Sequence, residues 1–186
     1  LDHFYLNESA YTIFNKDKIH RPRNPEIYKA PYVLFKKGLD CADYSIRAVY
    51  TESDFLYRET INCIKGSEKD KKTLLNLCGL LNSSLFSYFN LMLGSSTGIE
   101  REQIFLEELG NYPYVYNDEL VELVEKMQRE EWGKNRNELQ VALNQCVMRM
   151  YGLQDNYFVD YALSIQIPML CGTYQETKCD TKTMKE

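Results

Sequence analysis

The sequence predicts an α/β (α+β) fold: a small mixed or antiparallel sheet with a long buried helix, followed by a helical subdomain. Three observations predict it. Residues 44–50 (YSIRAVY) alternate in polarity as a half-exposed strand does. Thr73 to Ile99 is a run of 27 residues without a charge, which suits a helix buried on most sides. Residues 118–151 repeat apolar side chains at three- and four-residue spacing. With 186 residues, 44% of them hydrophobic, the chain can bury a core without help from a metal or a disulfide.

In chain order, residues 1–31 are irregular, because Pro22, Pro25 and Pro31 oppose regular structure around them. Residues 32–37 (YVLFKK) read as a strand ended by Gly38. In 44–50, Tyr44, Ile46, Ala48 and Tyr50 share one face, while Ser45, Arg47 and Val49 share the other. Residues 54–58 and 60–64 read as two further short strands, closed by a turn at Lys65-Gly66-Ser67. One helix is expected over about 70–91, then a flexible loop at 94–98 and a short helix or strand-like segment at 100–109, broken at Asn111-Tyr112-Pro113.

The remainder reads as helical. Leu120, Val121, Val124 and Met127 mark one face of 118–131; Leu139, Ala142, Leu143, Cys146, Val147 and Met150 mark one face of 136–151. Gly152 is placed to stop the second of these. Asp155 is the expected cap of a third helix through about 164, and Pro168 the expected end of organised structure. The units are therefore a basic leader (1–31), a strand-rich region (32–115), a helical subdomain (116–168) and a polar tail (169–186). Residue 1 is Leu, so the chain is expected to be a fragment of a longer protein or a processed product.

The net charge of −5 hides a division. Residues 15–37 hold seven Lys/Arg against Asp17 and Glu26; residues 100–131 hold ten acids against Arg101, Lys126 and Arg129. The strand part is basic and the helical part acidic, an asymmetry that points to a partner on the basic side. The uncharged run is interrupted by Asn76, Asn82, Ser83, Ser84, Ser87 and Asn90, so it reads as a helix in a protein core rather than a membrane span. No signal-peptide pattern opens the chain, and the expected location is cytoplasmic. The six Cys form no C-x-x-C pair and read as reduced, mostly buried thiols.

Catalytic chemistry is hard to build here. The chain's two His, His3 and His20, both lie in the leader. There is no G-x-S-x-G elbow, no P-loop and no G-x-G-x-x-G. The paired carboxylates, such as Glu107-Glu108 and Glu130-Glu131, read as solvated surface.

Three segments then act together: RPRNPEIYKAPYVLFKKG (21–38), YSIRAVYTESDFLYRETINCIKG (44–66) and the Leu-Asn-Ser helix with its Ser/Gly loop and Pro-ended segment (74–115). With LNQCVMRMYGLQDNYFVDYAL (143–163), they resemble the specificity region that follows the catalytic domain in adenine-amino DNA methyltransferases of restriction–modification and phage-defence systems, including the Taq-type enzymes and fused restriction–methylation proteins. The resemblance implies a target-recognition part without its catalytic half. The family's Asn/Asp/Ser-Pro-Pro-Tyr/Phe motif is absent, since Asn24-Pro25-Glu26 lacks the second Pro and the aromatic. It implies that S-adenosylmethionine binds in the parent's catalytic domain and not in this fragment. The partners it implies are double-stranded DNA and that catalytic domain, with no membrane involved.

DNA binding needs cations for phosphates and hydrogen-bonding side chains for base edges. The candidates are Lys16, Lys18, Arg21, Arg23, Lys29, Lys36, Lys37, Arg47, Ser95, Ser96, Thr97 and Arg101. Blander readings stand beside them. Arg47 could pair with an acid across the sheet, Lys36 and Lys37 could protect a strand edge, and Ser95–Thr97 could be a connector. Tyr28 and Tyr32 read as core rather than base-stacking groups, and Asn82 and Ser83 as satisfied polar groups in a packed helix. A protein-interaction module of a defence complex remains the alternative, with the acidic helices as its scaffold.

Overall fold

A computed structural model describes residue 4 and residues 24–40, 43–96, 103–130 and 135–171. Three strands form an antiparallel sheet: β1 (Tyr32–Lys36), β2 (Ala48–Thr51) and β3 (Ile61–Lys65), in the order β2-β1-β3. β1 sits in the centre because it is apolar on both faces. Val33 and Phe35 point into the main core; Tyr32 and Leu34 point to the other side. That second face is closed by Val49, Ile61, Cys63 and the ring of Tyr57, whose hydroxyl donates to the carbonyl of Ile27 at 2.9 Å. Tyr28 and Tyr32 meet Tyr57 edge-on at 5.2 and 6.1 Å, so both rings are core, as the sequence suggests.

Two expected strands change. The alternation at 44–50 is real, with Ile46, Ala48 and Tyr50 buried on one face, but pairing begins only at Ala48. Residues 54–58 are not a strand. Asp54 is drawn to the N–H of Ala30 at 2.8 Å, and the N–H of Phe55 donates to the Tyr32 hydroxyl at 2.7 Å, so this segment laces over the sheet instead of extending it.

The long uncharged helix is two helices, α1 (Lys71–Leu81) and α2 (Ser84–Leu93). The break lies at Asn82-Ser83, and it has a tertiary cause. The Lys36 N–H donates to the Arg47 carbonyl, so the N–H and C=O of Ala48 face away from β1 toward the sheet edge. Asn82 occupies that edge. Its Oδ1 accepts the Ala48 N–H at 3.1 Å, and its Nδ2 donates to the carbonyls of Ala48 and Cys78, each at 2.9 Å. The Phe4 N–H also donates to the Ala48 carbonyl, at 3.0 Å, so the Asn82 amide and this one backbone group together take the place of a strand. Ser83 restarts the helix as N-cap of α2, its Oγ accepting the Phe86 N–H at 3.4 Å.

A single turn α3 (Leu106–Leu109) precedes α4 (Asp118–Arg129), α5 (Asn135–Met150) and α6 (Tyr157–Tyr161). Asn117 caps α4. Buried Asn76 ties this cap to α1, donating to Val115 O at 2.9 Å and accepting the Asn117 N–H at 3.0 Å. α1 and α4 cross closely at Gly79, where an added Cβ would stand 2.8 Å from the side chains of Leu120 and Val124. Gly152 ends α5 at φ +64°, with the Leu153 N–H returning to Met148 O at 2.9 Å. The cap of α6 is Asn156 rather than Asp155, which turns the chain at φ +61°. Pro168 does not end the helix. A π turn at Ala162–Gln166, in which the Ile167 N–H reaches the Ala162 carbonyl, precedes it, and residues 167–171 remain helical.

One apolar cluster runs from Val33 and Phe35 through α1 and α4 to Leu143 and Val147 of α5. Cys78, Cys146 and Cys171 are buried and Cys63 is half-buried, all four as free thiols. Among the described residues no helix is long and apolar enough to cross a membrane, and no group of three or more His, Cys, Asp or Glu could hold a metal ion.

Candidate functional site

The antiparallel register gathers part of the predicted site at one end of the sheet. Lys36 closes β1 opposite Arg47, which leads into β2, and the Lys37 N–H donates to Thr60 O at 2.9 Å beside the start of β3. The Ser95-Ser96 turn reaches the same end through Gln103, which bridges Gly38. Ser96 Oγ donates to the Gln103 carbonyl at 2.7 Å and accepts the Gln103 N–H at 2.9 Å. The Ser95 N–H donates to Glu108 Oε1 at 3.3 Å. The Ser95-Ser96 turn is therefore pinned, through Gln103, against the strand that carries the lysines.

The cations at this end differ in their surroundings. Lys36 and Lys37 make no ion pair with the described residues. Arg47 is partly buried, and its Nε stands 2.7 Å from Asp40 Oδ2, so the guanidinium is held by a carboxylate as well as by the strand. Lys29 lies at the opposite end of the sheet, paired with Glu26 at 2.9 Å, and Lys65 Nζ donates to the Glu26 carbonyl there at 2.5 Å. The Lys29–Glu26 pair lowers the Glu26 carboxyl below its ordinary range and raises Lys29, through the shared hydrogen bond first and the charges second. Six candidates, Lys16, Lys18, Arg21, Arg23, Thr97 and Arg101, lie outside the described residues.

The structure adds residues that sequence reasoning passed over. Arg58 is exposed in the turn into β3, at the same end as Lys37; the expectation of a strand over 54–58 hid it. Arg47 also opens onto a cleft of about 430 Å³ between the residues leading into β2, the α1–α2 break, α5, and the apolar side chains of Leu163 and Ile167. Arg136, Asn137, Gln140 and Asn144 line it from α5, facing Ser84 and Ser87 of α2. The polar positions 137, 140 and 144 recur at three- and four-residue spacing. That spacing was a legible signal, overshadowed by the apolar stripe on the other face of the same helix.

Among known families, one model matches residues 3–114, that of the TaqI-like C-terminal specificity domain. No curated protein matches the chain.

Proposed function

The chain belongs to the TaqI-like C-terminal specificity domain family, whose role is sequence recognition on DNA in a restriction–modification setting; from that premise we propose that it reads double-stranded DNA as the target-recognition part of an adenine-specific DNA methyltransferase or fused restriction–methylation enzyme. The family match over residues 3–114 carries this reading. It is supported by Lys36, Lys37 and Arg58 at one end of the sheet, beside the pinned Ser95-Ser96 turn. In this arrangement the cations neutralise phosphates and set register, and loop side chains meet base edges. The partners are duplex DNA and the catalytic domain of the parent chain, in the cytoplasm.

Methyl transfer and S-adenosylmethionine belong, in this proposal, to that catalytic domain. Asn24-Pro25-Glu26 does not fit a base-holding loop. Asn24 Oδ1 accepts the Glu26 N–H at 3.0 Å as the cap of a short 3-10 helix, Pro25–Tyr28. A second reading, a protein-interaction module of a defence complex, draws on the exposed rings of Tyr157, Phe158 and Tyr161 on α6.

The test is a titration of labelled duplex DNA at two salt concentrations. The expected result is binding that weakens by roughly 0.9 log unit per log of salt for each phosphate neutralised. Replacing Lys36 and Lys37 together by Ala flattens that slope by about two such steps, and Arg21→Ala with Arg23→Ala flattens it in the same sense. Selection from random duplexes enriches a short motif, and S-adenosylmethionine with DNA yields no methylated product. Absence of binding at low salt favours the interaction module and refutes the DNA reading.

A further inference from the structure

The helix that ends the described chain is apolar on two sides. It runs from α6 through the π turn to residue 171. Val159, Ala162, Ile167 and Cys171 are buried and seat it on the body, Val159 in the main core and Ile167 with Cys171 against Tyr44. The outer side carries Tyr157, Phe158, Tyr161, Ile165 and Leu170, which are 72%, 74%, 40%, 43% and 39% exposed. Tyr157 meets Phe158 edge-on at 5.7 Å and stacks on Tyr161 at 6.2 Å, so the three rings hold one another in place. A surface helix normally turns a polar face outward, and one that is apolar all round is normally buried. Taking about 200 Å² for each side chain, these fractions leave about 500 Å² of apolar side chain exposed. That is the size of a docking patch rather than of scattered surface residues.

The charge of the segment narrows what can cover it. From Gly152 to Cys171 there is no Lys or Arg, and the charged residues are Asp155 and Asp160. Both are exposed, and neither makes an ion pair with the described residues. A nucleic acid or an anionic bilayer would meet carboxylates where it needs cations. The face suits protein, and its two halves complement each other. Rings fill the N-terminal half; Ile165 and Leu170 fill the C-terminal half. Two copies laid antiparallel about Leu163 set Tyr161 against the partner's Ile165, and Tyr157 with Phe158 toward the partner's Leu170. That alignment also keeps the two Asp160 carboxylates roughly 9 Å apart along the axis, whereas parallel helices would bring them side by side. A patch of about 500 Å² on each copy buries about 1,000 Å² in all, which reaches the size a specific interface needs.

We propose that the chain self-associates through this face. Two copies pack residues 157–171 antiparallel across a twofold axis, the rings of one against the aliphatic half of the other. The assignment gives the exposed α6 rings to a second copy of this chain rather than to another component of a defence complex, and it does not depend on DNA binding. An interface at the small end of the range gives a weak dimer, with a dissociation constant in the micromolar range.

Sedimentation velocity of the full chain, from low micromolar to millimolar concentration, tests it. The expected result is a monomer that converts to a dimer as concentration rises. Tyr157→Ser with Phe158→Ser removes two rings that are about three-quarters exposed, so the fold is kept and the dissociation constant rises at least about tenfold. Tyr161→Glu and Ile165→Lys each put a charge at the centre of the face, and each abolishes self-association. Mixed together, those two variants associate again. Antiparallel packing sets the introduced carboxylate against the introduced ammonium at one contact and keeps the native Tyr161–Ile165 contact at the other. A wild type that stays monomeric throughout overturns the proposal and leaves the face to a different protein. A dimer that the ring double variant leaves unchanged overturns it as well, since another surface then holds the copies. So does a mixture that fails to associate although each variant unfolds at the wild-type urea midpoint. None of these outcomes bears on the duplex titration, so the two readings fail separately.

Discussion

Replacing Asn82 by Ala tests whether one side chain both breaks the helix and closes the sheet edge. In a buried setting the amide accepts the Ala48 N–H and donates to the carbonyls of Ala48 and Cys78, with Cys78 Sγ also at 3.5 Å, and the residue is 3% exposed. A protein hydrogen bond contributes about 1 kcal/mol net, and a buried donor left without an acceptor costs about 1–3 kcal/mol. The Ala48 N–H becomes such a donor, because it faces the sheet edge and not β1. Asn82→Ala should therefore cost about 2–4 kcal/mol, a large share of the roughly 5–15 kcal/mol that holds a typical domain folded. For a chain of this size that corresponds to a fall of roughly 4–16 °C in Tm. Urea unfolding followed by circular dichroism measures it. Asn82→Asp supplies the internal control. Its carboxylate keeps the acceptor but faces two carbonyls, so its folded pKa rises. The penalty is full at neutral pH and fades as pH falls toward the ordinary Asp value of about 3.9. A loss below about 0.5 kcal/mol in Asn82→Ala, or no recovery of Asn82→Asp on acidification, refutes the edge-closing role.

Two further outcomes follow from the packing and the ion pairs. Gly79→Ala gains about 1 kcal/mol in intrinsic helix propensity, yet its Cβ meets Leu120 and Val124 at 2.8 Å, so net destabilisation of about 1–3 kcal/mol is expected in thermal unfolding; a rise in Tm would show that α1 and α4 can separate freely. Glu52 accepts from Lys71 at 2.7 Å and from the Tyr50 hydroxyl at 2.7 Å, and these bonds, Lys71 first, hold its carboxyl below the ordinary 4.5. A depressed folded pKa adds stability above the unfolded value and loses it as pH drops through the folded one. Wild type should thus lose more stability than Glu52→Gln between neutral pH and pH values below 4.5, measured by urea midpoints; parallel acid profiles would remove the effect.

Much of this architecture is written in local pattern. The stripe Leu120, Val121, Val124, Met127 predicts α4 because side chains at those spacings share one helix face, and all four are buried. Gly152 predicts the end of α5 because a left-handed turn suits a residue without Cβ. Lys36, Lys37 and Arg47 were legible as cations near strand ends, and the register brings them to the same end.

Other features depend on neighbours that the sequence keeps far apart. Nothing local distinguishes Asn82 from Asn76 within the uncharged run; the Ala48 edge, 34 residues away, selects it as the break. Tyr32 and Ala30 hold residues 54 and 55 over the sheet, which is why a strand-like segment there pairs with nothing. The sequence determined the elements, because the periodicity of apolar side chains is set by backbone geometry within a few residues. The tertiary structure decided the joints and the cleft between Ser87 and Asn144, because a buried hydrogen bond is made wherever a partner arrives, and the partner's place in the chain leaves no local trace.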